Sequence, residues 1–218
     1  MVVDDLLTPA ALAEMREVAL GASIWMECKP SGYLGSRFSD GFAMPHVAKL
    51  ARELEQALPQ IFSQHSLNIF WGFKILEEND PKGAEGIKVH ADVAAVNVNF
   101  WITEDEANND PDHGGLVVFK KMAPVNTTFD DYNSGGSLED YGISMERDIK
   151  ARVPYRSNRA VIFDSSLFHQ TDVTRFKPGY KNRRVNFTLL YGTLDGVRCQ
   201  KALSPAHTPS VRVVSESW

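Results

Sequence analysis

Residues 159–192 restrict the fold of this chain most, because they contain two runs that are typical of β-strands. The first run is apolar and β-branched and ends at Asp-Ser-Ser, shortly before His169. In the second run Arg184, Asn186 and Thr188 alternate with apolar residues, so the polar side chains share one face of a strand. The apolar face requires a second layer of structure. The polar face either meets solvent or lines a pocket, and this stretch alone leaves both interpretations open.

The order of the other elements predicts a mainly β fold with flanking α-helices. Thr8 and Pro9 are typical of a helix start, and a short helix is predicted from there to residue 19. Apolar residues at three-and-four spacing predict a second helix from Pro45 to Ile61. The predicted strands are residues 67–77, 86–92, 93–103, 116–120, 159–164 and 183–193. Helices followed by strands, without βαβ alternation, favour an antiparallel barrel or sandwich that is buttressed by the helices.

The segments between these elements are interpreted mainly as loops. Residues 21–43 are predicted to hold at most one short strand. The connections 104–115 and 122–158, the latter with a weak helical segment at 138–150, have the length of functional lids or disordered loops. A chain of 218 residues fits one domain. Its predicted parts are a helical support (1–66), a barrel core (67–193) and a carboxy-terminal tail (194–218).

Composition argues against several classes of protein. Hydrophobic residues at 43% and charged residues at 23% are typical of a globular protein, and no apolar run approaches the roughly 20 residues that span a bilayer. The acidic start of the chain favours a cytoplasmic location over a secreted one. Two cysteines, Cys28 and Cys199, argue against a disulfide scaffold. A net charge of -5 argues against a nucleic-acid partner, whereas the oligomeric state stays open.

His90 and Asp92 form the first candidate metal-binding pair. Residues i and i+2 of a strand point to one face, so an imidazole and a carboxylate can converge on one cation. His169, at the end of another predicted strand, would complete the two-histidine, one-carboxylate triad of non-haem iron. Taken alone, the pair is explained more simply as an exposed strand end. His113 is the competing ligand, although a solvated acidic loop explains it better. His46, His65 and His207 are interpreted as surface residues.

Arg184 is the candidate binder of a carboxylate. A fixed guanidinium suits a bidentate contact with a carboxylate, and the alternative is a surface arginine beside Arg183, which faces the other way. The candidates for substrate binding are Asn97, Asn99, Trp71 and Arg37. The two asparagines lie in an otherwise apolar strand, where they would need hydrogen-bond partners, and an exposed strand face explains them nearly as well.

Four motifs occur in order between residues 67 and 192: His-Ala-Asp at 90–92, Gly-Gly-Leu-Val-Val-Phe at 114–119, Val-Ile-Phe at 161–163 leading to His169, and Arg-Val-Asn-Phe-Thr at 184–188. This ordered set resembles the Fe(II)- and 2-oxoglutarate-dependent oxygenases, especially their prolyl-hydroxylase-like branch. The resemblance implies a double-stranded β-helix, or jelly-roll barrel. It also implies that His90, Asp92 and His169 bind Fe(II).

The same resemblance implies that Arg184 holds the distal carboxylate of 2-oxoglutarate with help from Thr188. Asn186, between them on the same face, is included among the cosubstrate-binding residues. The implied reaction consumes O2 and hydroxylates a small-molecule or peptidyl substrate, with release of succinate and CO2. Asp92 favours hydroxylation over halogenation, which in related enzymes needs that position empty.

Two alternatives stay open. A zinc hydrolase, or an iron dioxygenase that needs no cosubstrate, would use the triad but not Arg184. A non-catalytic ligand-binding barrel would not need an intact triad. The sequence leaves the identity of the substrate open in every case.

Overall fold

Ten β-strands form two antiparallel sheets in the part of the chain that the structure describes. This computed structural model describes residues 1–29, 32–41, 44–75, 86–124, 129–133 and 135–193. The strands are β1 (Val2–Val3), β2 (Glu27–Lys29), β3 (Tyr33–Arg37), β4 (Leu67–Ile75), β5 (Val96–Trp101), β6 (Leu116–Met122), β7 (Ile149–Val153), β8 (Ala160–Asp164), β9 (Leu167–Thr171) and β10 (Val185–Tyr191). The large sheet has the order β1-β8-β5-β10-β4-β3-β2, and the small sheet has the order β7-β6-β9. The predicted mainly β, antiparallel fold is confirmed. The described part of residues 21–43, however, holds two short strands, β2 and β3, where at most one was predicted.

The helices are α1 (Pro9–Gly21), α2 (Pro45–Ala57), α3 (Pro59–Phe62) and α4 (Phe129–Asn133). The first begins where the sequence predicts, because the Thr8 hydroxyl accepts a hydrogen bond from a backbone N–H of the first turn at 3.3 Å. The second predicted helix is divided at Leu58. Pro59 explains the division, since it has no N–H to continue α2 and disfavours helical backbone at the preceding residue.

The two faces of the large sheet have different partners. On one face Phe100 and Phe187 pack with Met15 of α1 and Leu54 of α2 in a buried cluster. On the other face apolar side chains such as Trp101 pack against the small sheet. The polar face of β10 is on this inner side and is buried between the sheets. Between the two interpretations of that face, the pocket is therefore the correct one.

Residues 86–92 do not form the predicted strand. The backbone N–H groups of His90 and His169 donate to each other's carbonyls at 3.0 and 2.8 Å, which makes a single isolated bridge beside β9. The carbonyl of Lys88 lies 2.7 Å from Nδ1 of the His90 ring. The His90 side chain thus takes up the Lys88 carbonyl, which in a regular strand would accept a hydrogen bond from a neighbouring strand.

The predicted helical segment at 138–150 is also wrong. Residues 138–142 and 145–147 form turns, and β7 follows them. In β7 the apolar residues Ile149, Ala151 and Val153 alternate with basic ones, which is the period of a strand. The sequence carried this signal, but the alternation extends over only five residues.

The turn after β8 moves the chain from the large sheet to the small one. Oδ1 of Asp164 accepts hydrogen bonds from the backbone N–H and the hydroxyl of Ser166 at 3.0 and 2.7 Å. His169 therefore lies inside a strand of its own, β9, and not at the end of the preceding one.

No helix among the described residues combines the length and the apolar character that crossing a membrane requires. The predicted tail, residues 194–218, lies outside the described residues, as do positions 76 and 77 of the first predicted strand.

Candidate active site

A cavity of about 540 Å³ is lined by residues of both sheets. Strands β3, β4, β5 and β10 of the large sheet contribute side chains, as do β6 and β9 of the small sheet. His90 and Asp92 reach it from the irregular segment beside β9, and Asn133 reaches it from α4. His169 and Arg184 line the same cavity. The structure thus brings the predicted metal ligands and the predicted carboxylate binder to one space.

In the described part of the chain, His90, Asp92 and His169 are grouped so that they could hold one metal ion. Each offers a donor atom, and these atoms lie within 4.8 Å of one another. Nε2 of His90 is 3.9 Å from Oδ1 of Asp92, and Nε2 of His169 is 3.4 Å from Oδ2. Ala91, between the first two, is buried in an apolar cluster. The i, i+2 alternation therefore holds even though this segment is not a regular strand.

Both imidazoles are held in the form that binds a metal through Nε2. Nδ1 of His90 lies 2.7 Å from the carbonyl of Lys88, and Nδ1 of His169 lies 2.9 Å from the carbonyl of Leu167. A carbonyl can only accept, so each Nδ1 must carry the hydrogen and each Nε2 must present its lone pair. The donor set and its orientation fit a first-row metal such as Fe(II).

The ionisation of the site also suits metal binding. The pKa of His90 is lowered to about 4, mainly by burial and also by the neighbouring His169, while Asp92 opposes the shift. Burial acts to raise the pKa of Asp92, but its interactions with both histidines and the hydrogen bond from Asn97 bring the pKa below its usual value. Near neutral pH, His90 is therefore neutral and Asp92 ionised, which are the forms that ligate metals.

Arg184 is held in a cradle of backbone carbonyls. The residue is 2% exposed. Its Nε donates to the carbonyl of Gly114 at 2.6 Å, its Nη2 to that of Gly115 at 3.2 Å, and its Nη1 to Oδ1 of Asn186 at 3.0 Å. The alternative of a surface arginine is excluded by this burial. These acceptors are neutral and fix the plane of the guanidinium, so its charge complements an anion in the cavity.

Gly115→Ala is expected to disrupt this cradle. A Cβ at position 115 would lie 1.9 Å from the carbonyl oxygen of Val153, a backbone atom that cannot move without shifting β7 against β6. We expect the free energy of unfolding in a denaturant titration to fall by about 2 kcal/mol or more. Gly21→Ala is the matched control, because its Cβ would meet nothing within 4 Å. Equal stability of Gly115→Ala and wild type would contradict the prediction.

Four candidate residues form one row across the large sheet. The register pairs Arg37 with Trp71, Trp71 with Thr188, and Thr188 with Asn99. Residues that are directly paired in an antiparallel sheet project from the same face, and all four line the cavity. Three predicted substrate residues therefore lie in one row with Thr188, a predicted cosubstrate residue.

Asn97, the fourth predicted substrate residue, is not among the residues that line the cavity. It is fully buried, and its Nδ2 donates to Oδ2 of Asp92 at 2.7 Å. Its amide is therefore directed at a candidate metal ligand and away from the space that a substrate would fill.

His113 lies on the surface and is not part of the triad. Its Nδ1 is 3.0 Å from Oδ1 of Asp110, which also pairs with Arg175 at 2.9 Å, and its side chain is 40% exposed. The solvated acidic loop is thus the better explanation. His46 and His65 are partly exposed and do not line the cavity, and His207 lies outside the described residues.

Three charged or amide-bearing residues of the cavity were not predicted: Glu27, Lys88 and Asn133. Nδ2 of Asn133 donates to the carbonyl of Ala91 at 3.2 Å and so ties α4 to the metal-binding segment. The position of Lys88 in the cavity could have been predicted, because it lies two residues before His90 and alternation places both on the same side. Glu27 and Asn133 occur in segments without sustained periodicity, where no pattern indicates which side chains face inward.

No protein-family model and no curated protein sequence matches the chain. The non-haem α-ketoglutarate-dependent epimerase SnoN from nogalamycin biosynthesis shares its fold with a TM-score of 0.60 and 12% identity, over 88% of this chain and 78% of SnoN. EctD from S. alaskensis, solved with 2-oxoglutarate and 5-hydroxyectoine, has a TM-score of 0.54 and 15% identity, over 99% and 82%. A Trichoplax adhaerens prolyl hydroxylase in complex with a hypoxia-inducible-factor peptide has a TM-score of 0.53 and 11% identity, over 88% and 83%.

These likenesses concern the fold, since the identities are 15% or lower. The predicted jelly-roll barrel is confirmed by them. The resemblance to 2-oxoglutarate-dependent oxygenases is likewise confirmed at the level of the fold.

Proposed function

We propose that this chain is an Fe(II)- and 2-oxoglutarate-dependent dioxygenase that hydroxylates a small-molecule or peptidyl substrate, with release of succinate and CO2. The observation that supports this best is that the His90, Asp92 and His169 group and the buried Arg184 line one cavity. When bound, iron and 2-oxoglutarate would supply the oxidising chemistry with O2. The chain would supply ligands, orientation and a space shielded from water.

Each task of such an enzyme has a residue of suitable chemistry in the cavity. The triad would hold iron on one face and leave the remaining positions open for 2-oxoglutarate and O2. The carbonyls behind both imidazoles would keep the rings oriented. Arg184 would bind the distal carboxylate of 2-oxoglutarate through its planar guanidinium, with Thr188 and Asn186 beside it.

We assign the substrate to the part of the cavity that is lined by Arg37, Trp71 and Phe73. Trp71 lines the cavity, and among the described residues its buried Nε1–H has no hydrogen-bond acceptor. The rings of Tyr33 and Trp71 lie 5.5 and 5.6 Å from that of Phe73 and form an apolar wall. A cavity of about 540 Å³ suits a metabolite or a single projecting side chain.

Arg184 also distinguishes this proposal from the alternatives. A zinc hydrolase, or an iron dioxygenase without a cosubstrate, would use the three ligands but would have no need for a buried guanidinium in the same cavity. A non-catalytic barrel would not need the histidines oriented through Nδ1 so that both Nε2 atoms face Asp92.

Succinate release is the direct test. The protein incubated with Fe(II), 2-oxoglutarate and O2 is expected to release succinate, and a matching substrate from a panel of amino acids, other metabolites and peptides should increase the rate. Without O2, the same components should give the weak visible charge-transfer band of chelated 2-oxoglutarate. Hydrolysis of a panel ester or amide by the Zn(II) form, with no 2-oxoglutarate binding, would instead favour the hydrolase.

A further inference from the structure

One buried chain of hydrogen bonds runs from Arg184 to Asp92. Nη1 of Arg184 donates to Oδ1 of Asn186 at 3.0 Å, and Nδ2 of Asn186 donates to Oδ1 of Asn99 at 3.2 Å. Nδ2 of Asn99 donates to Oδ1 of Asn97 at 2.9 Å, and Nδ2 of Asn97 donates to Oδ2 of Asp92 at 2.7 Å. None of the five residues is more than 6% exposed. The chain therefore connects the candidate cosubstrate residue with a candidate metal ligand without passing through the cavity's solvent.

The two ends of the chain determine the orientation of every amide in it. A guanidinium only donates hydrogen bonds, and an ionised carboxylate only accepts them. Each asparagine must therefore turn its oxygen toward Arg184 and its nitrogen toward Asp92. Rotating one amide by 180° would turn its nitrogen toward the neighbouring donor on one side and its oxygen toward the neighbouring acceptor on the other. In a buried site such chains polarise each bond in the same direction, which strengthens the whole.

We propose that Asn97 is a positioning residue for Asp92, and that Asn99 holds Asn97 in the required orientation. The proposal rests on the proposed function, because it treats Asp92 as a metal ligand. Asn97 engages Oδ2 of Asp92, which lies 3.4 Å from Nε2 of His169, while Oδ1 lies 3.9 Å from Nε2 of His90. The bond fixes the rotation of the carboxylate and thereby the direction in which its oxygens face the two histidines. Asn99 donates to the oxygen of Asn97 and thereby prevents its amide from rotating. The orientation of the metal ligand is in this way tied to the residue that binds the cosubstrate.

Thr188 provides a matched control for this chain. Its hydroxyl donates to Oδ1 of Asn99 at 3.1 Å, the same oxygen that accepts from Asn186, but it lies on a side branch. Thr188→Val removes this bond without interrupting the sequence of donors between Arg184 and Asp92. If the effect came from a general loss of packing around Asn99, Thr188→Val and Asn99→Leu should weaken metal binding alike. If it comes from the hydrogen-bond chain, only Asn99→Leu should weaken metal binding.

Co(II) added to the metal-free protein without 2-oxoglutarate tests the proposal. Asn97→Leu is expected to weaken Co(II) binding about tenfold and to change the visible absorption of bound Co(II), because Asp92 loses the bond that orients it. Asn97→Thr, whose β-branched side chain suits a strand, should behave likewise. Asn99→Leu touches no metal ligand and is expected to weaken binding about threefold. Thr188→Val should stay within about twofold of wild type, and thermal unfolding identifies the variants that keep the fold.

Each outcome bears on a separate step. Failure of the wild-type protein to bind Co(II) would contradict the proposed function itself. Wild-type affinity in folded Asn97→Leu or Asn97→Thr would overturn the positioning role. Weakened binding in the Asn97 variants with wild-type affinity in Asn99→Leu would overturn the part assigned to Asn99. Equal weakening of Co(II) binding in Asn99→Leu and Thr188→Val would show that the effect comes from packing, and would overturn the role of the hydrogen-bond chain.

Discussion

His169→Ala is expected to abolish metal binding and all 2-oxoglutarate-dependent succinate release. The side chain is 2% exposed, and the contact of Nδ1 with the carbonyl of Leu167 leaves Nε2 for the metal. Removing one of three protein ligands should cost more affinity than the roughly 10–100-fold that loss of an outer hydrogen-bond partner costs. Titration with Fe(II) or Co(II), followed by the succinate assay, measures both effects.

His113→Ala is the matched control for this substitution. His113 also lies near carboxylates, yet it is 40% exposed and makes its contact with Asp110 outside the cavity. We expect its metal affinity and turnover to equal those of wild type. Loss of metal in His113→Ala but not in His169→Ala would show that the ligands are assigned wrongly. Because the His169 ring also packs 4.9 Å from that of Phe163, thermal unfolding of both variants must accompany the titration.

Arg184→Lys is expected to lower the affinity for 2-oxoglutarate by at least about 30-fold, or roughly 2 kcal/mol, while metal binding is retained. Lysine keeps the charge but cannot present two parallel donors to a carboxylate. It also cannot fill the cradle formed by the carbonyls of Gly114 and Gly115 with the same geometry. Calorimetric titration of 2-oxoglutarate into the Co(II)-loaded protein measures the loss.

Arg183→Lys tests whether the effect belongs to this one guanidinium. Arg183 precedes Arg184 in the chain but is oriented away from the cavity, with its guanidinium carbon 5.3 Å from the ring of Tyr180. Its substitution should leave 2-oxoglutarate binding unchanged. Undiminished affinity in Arg184→Lys would refute the carboxylate clamp, and loss of Co(II) binding in that variant would mean that the substitution damages the triad as well.

The metal ligands and Arg184 could be predicted because period-two alternation survives small irregularities of the backbone. Residues 86–92 make only one bridge to β9, yet His90 and Asp92 still project to one side and Ala91 to the other. Alternation also predicts that Arg184 and Arg183 project to opposite faces of the strand. Such a pattern assigns side chains to a face before the opposing layer is known.

Other parts of the site depend on what lies across the cavity, and alternation carries no such information. Asn97 and Asn99 lie on the same face of β5, but the first contacts Asp92 and only the second lines the cavity. The turn at Asp164 transfers the chain between sheets through a local side-chain hydrogen bond. Asn133 lies in a five-residue helix, which is too short for helical periodicity to be recognised.

The contacts that build the Arg184 cradle have a consequence for the order of folding. Those with Gly114 and Gly115 join residues 70 and 69 positions apart, and that between Asn99 and Asn186 joins residues 87 positions apart. Such contacts form only after the chain entropy of closing large loops has been offset, so we expect the cradle to be completed late in folding. A small zinc-binding domain uses its metal to drive folding. For the present chain we expect the polypeptide to reach its native topology first, so that cofactor loading is a separate binding step on a folded scaffold.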